Sequence, residues 1–403
     1  MPISQAHAQA NPDPTSVIEY PKTLLENLRF RAWLIGRCKE DEKMAAAVRL
    51  RCSKDILFFF NVILWTSDPR TGLKNLPFIT YPFQDDYILK ILSDYREQVD
   101  CLTEKSRDMG VSWMLLGLIY WLWLFEPGFN ALVGSYIEDM VDDGTMESHF
   151  GRIDYFLDHT PSFLLPPGMK RSSMNLVNPE TRGAIVGAAP TAKFSRGGRY
   201  SLVFPDEFAF WNHARSAWTA MGDATKCRIT TSTTNGKGNK FADLALKSNI
   251  KKYTLHWKLH PKKDELWYEQ EKRRRTEEEV AQELDINYNK SVTGRVYSEF
   301  DDYNFLEKQE YNPLQPLFVS WDFGLNDATA IIWLQLDSKT GEVRIIDAYQ
   351  KSGHSIDFFV PFINGEIKSF REYKYNDEEL EMIAKHSKWQ AAVHFGDPTG
   401  NNK

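Results

Sequence analysis

An α/β fold in two successive domains is what this sequence predicts, and three observations carry the expectation. From about residue 83 to 255, short apolar runs of strand length alternate with helical segments. One strand-to-helix junction there, Lys105-Ser106-Arg107-Asp108-Met109-Gly110-Val111-Ser112, has the composition of a phosphate-binding turn. A new pattern begins near Pro316: three strand-like runs in close succession, a helical region, then a further strand. The first two observations describe a P-loop (ASCE-type) domain, the third the opening of a ribonuclease-H-like domain. The expected divisions are residues 1–55, an N-terminal tail and helices; 56–256, the P-loop domain; 257–312, a helical linker subdomain; and 313–403, the N-terminal part of the ribonuclease-H-like domain.

The totals agree with a globular chain. At 403 residues there is room for two or three domains, and 42% hydrophobic with 26% charged residues excludes disorder as the default. A formal net charge of -6 argues against a uniformly basic coat but allows a local basic groove. Cys38, Cys52, Cys101 and Cys227 are scattered without a CxxC pair, which fits a reducing cytosol better than a disulfide framework or a zinc site. Residues 1–16 are polar and Pro-rich, read as a mobile tail rather than a secretory signal. The most apolar segment, Met114 to Phe125, is about 12 residues, too short to span a bilayer, so a soluble protein is expected.

Taken in order, residues 22–66 read as helices ending in the apolar run Ile56 to Phe60. Strands are expected at Val99–Thr103, Ala131–Ser135, Ala184–Ala188, Ser201–Pro205 and Arg228–Ser232. From about 257 to 312 the chain turns charged and helical, with Lys272-Arg273-Arg274-Arg275 followed by three glutamates, a composition suited to an exposed subdomain. The second domain supplies Leu317–Trp321, Ala328–Leu336 and Glu342–Tyr349, a helical region at 356–386, and Ala391–Phe395.

The turn at 105–112 lies between an apolar strand and the apolar helix Trp113–Phe125, where a phosphate-binding loop belongs. That chemistry needs backbone N–H groups at a helix N-terminus, a cation beside the β- and γ-phosphates and a hydroxyl on Mg²⁺. Gly110 allows close backbone approach, Ser112 offers the hydroxyl, and Lys105 or Arg107 the cation, while Val111 stands where the usual lysine would be. Further on, Ser201 to Glu207 is a strand ending in two acids, the Walker B arrangement. Asp206 would hold Mg²⁺ and Glu207 would polarise the attacking water. Thr231, Ser232 and Thr233 follow another strand, where hydroxyls can sense a γ-phosphate or merely cap a turn.

In their order these segments resemble the large terminase subunit of tailed bacteriophages, a DNA-packaging ATPase and nuclease. That family often carries a variant Walker A loop whose lysine stands first, as Lys105 does in KSRDMGVSW. The resemblance makes Gln84, within Tyr81-Pro82-Phe83-Gln84-Asp85-Asp86, the adenine reader, Arg196 of Phe194-Ser195-Arg196-Gly197-Gly198 an arginine finger acting in cis or in trans, and Thr231–Thr233 the coupling motif. It also implies ATP with Mg²⁺ as the bound nucleotide and double-stranded DNA, a portal protein and a small terminase subunit as partners. A homo-oligomeric ring on the portal, assembly in the host bacterial cytoplasm and no membrane association follow from it too. DNA would be gripped through its phosphates, with Lys237, Lys240 and Lys272–Arg275 as candidates.

The second domain presents two acids at strand ends, Asp322 in Phe318 to Gly324 and Asp397 in Ala391 to Pro398. In a ribonuclease-H-like sheet the first and fourth strands are neighbours, so the two carboxylates would lie side by side and need cations between them. Two Mg²⁺ or Mn²⁺ ions would then support phosphodiester cleavage. The family draws a third acid from well beyond the second, and this sequence stops six residues after Asp397, so the domain is expected to be cut short. Asp347 and Asp327 are substitutes on paper only. His256, His260 and His354 read as packing or surface residues, since Pro261 interrupts any zinc helix. Two other readings stay open: a helicase-like or repair DNA-dependent ATPase without nuclease, and a nuclease or integrase relative whose ATPase half is a scaffold.

Overall fold

Strands buried on both faces pair in parallel only when each is followed by a crossover, and the first half of this chain is built that way. The computed structural model describes residues 19–70, 72, 74–291, 310–324, 328–367 and 373–396. Two compact units emerge, Met1–Val296 and Tyr297–Lys403.

The first unit opens with helices α1 (Leu24–Glu40), α2 (Glu42–Lys54) and α3 (Ile56–Val62), then a short antiparallel pair, β1 (Trp65–Ser67) and β2 (Asn75–Pro77). Helix α4 (Pro82–Glu97) leads to β3 (Cys101–Lys105), α5 (Val111–Phe125), β4 (Asn130–Gly134) and α6 (His149–His159). A meander β5 (Lys170–Ser172), β6 (Asn175–Asn178) and β7 (Gly183–Gly187) precedes β8 (Leu202–Pro205), α7 (Ala214–Ala224), β9 (Ile229–Ser232), α8 (Lys240–Lys247) and β10 (Lys251–Leu255). Short helices α9 (Glu265–Lys272) and α10 (Glu277–Glu283) follow.

The strands run β10-β3-β9 and β5-β6-β7-β4-β8, and a parallel bridge between Val203 and Arg228 joins β8 to β9. β9 therefore stands between β3, which feeds the loop, and β8, which carries the acid pair. The parallel pairings β3–β10, β3–β9, β4–β8 and β4–β7 put all these C-terminal ends on one edge.

Helix α5 is apolar all round, and it is buried accordingly. Its Gly117 is required by close packing, because a Cβ there would come 2.7 Å from the Phe60 ring. The same core takes Leu34, Val48 and Phe58 from α1–α3, and Trp257, Val280 and Leu284 from the charged stretch. From the stretch 257–312, expected as a helical linker subdomain, Trp257, Val280 and Leu284 thus join the packing of the first unit.

In the second unit the sheet order is β13-β12-β11-β14, with β11 (Leu317–Asp322), β12 (Ala328–Leu336), β13 (Val343–Ser352) and β14 (Ala391–Gly396). The first three strands pair antiparallel, and β14 lies parallel to β11. Alternate residues of β12 are buried against Phe358, Phe359, Phe362 and Ile383, contributed by α11 (Ile356–Phe359), α12 (Pro361–Asn364) and α13 (Asp377–His386). Among the described residues no helix is long and apolar enough to cross a membrane, and all four cysteines are buried and free.

Candidate nucleotide site

The turn between β3 and α5 is fixed by backbone conformation first. Gly110 caps α5 with φ of 78°, a left-handed value suited to glycine, and a Cβ there would lie 2.9 Å from the Gln84 amide. Gln84, buried in the first turn of α4, accepts from Tyr81 N–H at 3.1 Å and donates to Met109 O at 3.2 Å. It ties the start of α4 to the turn. Ser106 is held from the charged stretch, accepting from Trp257 N–H at 2.9 Å and donating to Leu284 O at 2.5 Å.

The acids at the end of β8 meet this turn directly. Asp206 accepts from Ser112 Oγ at 2.6 Å, from the Thr231 hydroxyl, and from the Glu207 N–H at 3.0 Å. Burial opposes its charge, yet His149, Lys105 and the two hydroxyls hold its carboxyl below the usual range. Glu207 adopts φ of 49°, a left-handed conformation that costs a non-glycine residue about 1–2 kcal/mol. Its surroundings over-determine that conformation. Oε1 receives Lys105 Nζ at 2.7 Å, while Oε2 accepts from Ser232 Oγ and Thr233 N–H, both at 3.2 Å. The Lys105 ammonium is buried, and although burial works against its charge, Glu207 and Asp206 raise its pKa overall.

Lys105, Ser112, Asp206, Glu207 and Thr231–Thr233 therefore converge from three separate segments of the sequence. Ser112 and Asp206 offer hard oxygen donors of the kind a magnesium ion takes. Arg107 stands apart: its guanidinium is exposed and paired with Glu283 at 3.3 Å, leaving Lys105 as the inward cation. Arg196 is exposed and has no side-chain hydrogen bond or ion pair among the described residues. Lys272, at the end of α9, and Arg274 and Arg275, just beyond it, pair with Glu269 and Glu271 of α9, so much of their charge is answered locally.

Three neighbours of the site carried no sequence signal. Lys263 donates to Arg107 O at 2.7 Å, and burial pushes its pKa down to about 8. His149 and Arg152 arrive on α6, which has no motif; only the fold reveals them. His260 packs edge-on against Tyr81, ring centroids 5.0 Å apart, a packing histidine as expected.

In the second unit Asp322 closes β11 as an exposed residue, and the β11–β14 pairing ends at Trp321 beside Gly396. Asp397 and Asp327 lie outside the described residues. Asp347 is no substitute. It pairs across β12 with Trp333 whereas Asp322 pairs with Ala330, and its carboxylate is taken by Lys385 at 2.7 Å and His386 at 2.8 Å. Among the described residues no group of three or more His, Cys, Asp or Glu is placed to hold a metal ion.

A glycine-capped turn, a buried lysine, a strand-end acid pair and an intervening hydroxyl strand thus meet at the C-terminal edge of the parallel strands. No protein-family model and no curated protein matches the chain. Among solved structures the chain is similar to large terminases of phages. The HK97 bacteriophage large terminase is 13% identical, with 74% of this chain and 67% of that chain covered and a TM-score of 0.46. The large terminase of a thermophilic bacteriophage in complex with ADP is 12% identical, covering 78% and 77% at a TM-score of 0.40. The ATPase domain of a Thermus phage large terminase is 16% identical, covering 49% and 92% at a TM-score of 0.39.

Proposed function

We propose that this protein is a DNA-packaging ATPase of the large terminase type, in which ATP hydrolysis drives double-stranded DNA into a procapsid. The observation that carries the reading is the Lys105–Glu207 pair, 2.7 Å apart, its lysine buried, beside Asp206, Ser112 and Thr231. Phosphate entering at Gly110 and Val111 competes for Lys105 and frees Glu207 Oε1 to accept a proton from the attacking water. Ser112 and Asp206 would hold Mg²⁺, which supplies charge neutralisation on the phosphates. Thr231 contacts Asp206 while Ser232 and Thr233 contact Glu207, so β9 links the acid pair to the sheet and can relay the loss of phosphate.

The second unit, with Asp322 and Asp397 as metal ligands for Mg²⁺ or Mn²⁺, would cut concatemeric DNA. Double-stranded DNA, portal protein and small subunit are the partners of this reading, with a homo-oligomeric ring assembled in the host cytoplasm and Arg196 exposed for a neighbouring subunit's nucleotide. The test is procapsid packaging with ATP. Wild type should protect DNA from nuclease while Lys105→Ala should not; packaging by the variant at the wild-type rate would overturn the assignment.

A further inference from the structure

Helix α6 brings one basic side chain, His149, to Asp206 and a second, Arg152, to Trp113 beside Ser112. His149 opens it, its ring stacked on Phe204 of β8 with centroids 5.7 Å apart and its Nε2 3.7 Å from Asp206 Oδ2. Both of its ring nitrogens are buried without a hydrogen-bond partner among the described residues. One turn on, the Arg152 guanidinium lies over the indole of Trp113, 5.6 Å from the ring centroid, and Trp113 directly follows Ser112. Arg152 is thus wedged between the first turns of α5 and α6, and both turns touch Asp206.

Its own bonding is incomplete for a charge in that position. Nε donates to Met146 O at 3.3 Å and one Nη to Glu147 O at 3.1 Å, both neutral carbonyls of the turn before α6. Among the described residues no carboxylate lies within ion-pair distance of it. Burial pushes its pKa down, against the pull of Asp206, Glu147 and Glu207. A partly buried guanidinium without an anion is costly to keep, and a phosphate group would answer it. The other cations of the site are engaged already: Lys105 by Glu207, Arg107 by Glu283.

We propose that Arg152 is a phosphate-contacting residue of the ATPase reaction, meeting the terminal phosphate of the nucleotide held by its own subunit. This rests on the nucleotide reading of the site above. In the step it assists, water oxygen bonds to the γ-phosphorus and its proton passes to Glu207. The bond from that phosphorus to the β–γ bridging oxygen breaks, and the electron pair leaves on ADP. A guanidinium beside the γ-phosphate oxygens stabilises the charge that spreads over them. The role differs from that of Arg196, which stands exposed on another element.

The test compares wild type, Arg152→Ala, Arg152→Lys and Lys105→Ala for ATP turnover, fluorescent ADP and ATP-analogue affinity, and melting of the nucleotide-free protein. Arg152→Ala should lower kcat by about 10²-fold or more with ADP affinity within about threefold. Mixing it with Glu207→Gln subunits, which keep Arg152 but cannot hydrolyse, should not restore activity. A kcat within threefold of wild type, or rescue by mixing, overturns the proposal. Should Arg152→Ala melt early, Arg152→Lys decides: it keeps the charge but not the planar fork, so a kcat reduced at least tenfold supports the role and a normal kcat overturns it. If wild type binds no ATP analogue, or Lys105→Ala turns over normally, the nucleotide site itself falls, and that result is distinct from a silent Arg152.

Discussion

Asp206 and Asp322 both close a strand of a sheet, yet they live in opposite circumstances. Asp206 is only 3% exposed and is surrounded by Ser112, Thr231, Lys105 and His149. Asp322 faces solvent and has no side-chain hydrogen bond or ion pair among the described residues. The first acid is preorganised by the fold, with its lysine and hydroxyls in place before any ligand arrives. The second is left uncommitted, so its function depends on what comes to it. Changes around Asp206 should therefore disturb chemistry and stability together, whereas changes at Asp322 should be felt in chemistry alone.

Paired substitutions break the comparison most sharply. Glu207→Gln should lower ATP turnover by about 10²- to 10⁴-fold, because the proton acceptor is lost while the shape is kept. Asp322→Asn should reduce Mn²⁺-dependent plasmid cleavage to background while phosphate release and melting temperature stay at wild-type values. Phosphate release and plasmid nicking measured on the same preparations would separate the units, and cleavage surviving in Asp322→Asn would remove that acid from the proposed cleavage site. A smaller effect is expected for Lys105→Ala. Loss of a charge-assisted contact to phosphate weakens ATP binding by about 10- to 100-fold. The same change leaves Asp206 and Glu207 without their cation, which should cost about 1–3 kcal/mol of stability, moderated because Glu207 is partly exposed. Chemical denaturation checks this; a variant as stable as wild type would mean that the pair is not what holds the turn.

The same contrast governs what could be read from sequence. Strands buried on both faces announce themselves as apolar runs, so β8, Leu-Val-Phe-Pro, and the loop-to-helix junction were legible. β10, Lys-Lys-Tyr-Thr-Leu, was not, because an edge strand can keep polar, exposed side chains. The stretch 257–312 reads as an exposed linking subdomain because charged residues dominate it, although Trp257, Val280 and Leu284 reach the main core. At the site, the convergence of Lys105, Ser112, Asp206 and Glu207 was visible because each stands at or just beyond a strand end in a turn-and-acid pattern that the sequence displays. Arg152, His149, Lys263 and Glu283 were not, since helix packing alone brings them there and no local pattern records it. Asp347 shows the converse: its chemistry suited a metal, but α13 had already claimed it.

That last residue yields the smallest and most local effect. Burial works against the Asp347 carboxylate, but hydrogen bonds from His386 and Lys385 hold its pKa down to about 2, below the ordinary 3.8. A depressed carboxylate pKa adds stability that is complete above about pH 4 and is lost as pH falls from about 4 to about 2, where the folded form must also take up the proton. The unfolded chain binds more protons in that window, so the free energy of unfolding rises with pH across it. Asp347→Asn should flatten this part of the acid-unfolding curve of the second unit and cost about 1–2 kcal/mol at neutral pH, as a charge-assisted pair gives way to a neutral one. Because Asp347 pins α13 to β13 and lies away from Asp322, plasmid cleavage at neutral pH should be unaltered. A cleavage defect at unchanged stability would instead place Asp347 in the cleavage chemistry and narrow the contrast between the two acids.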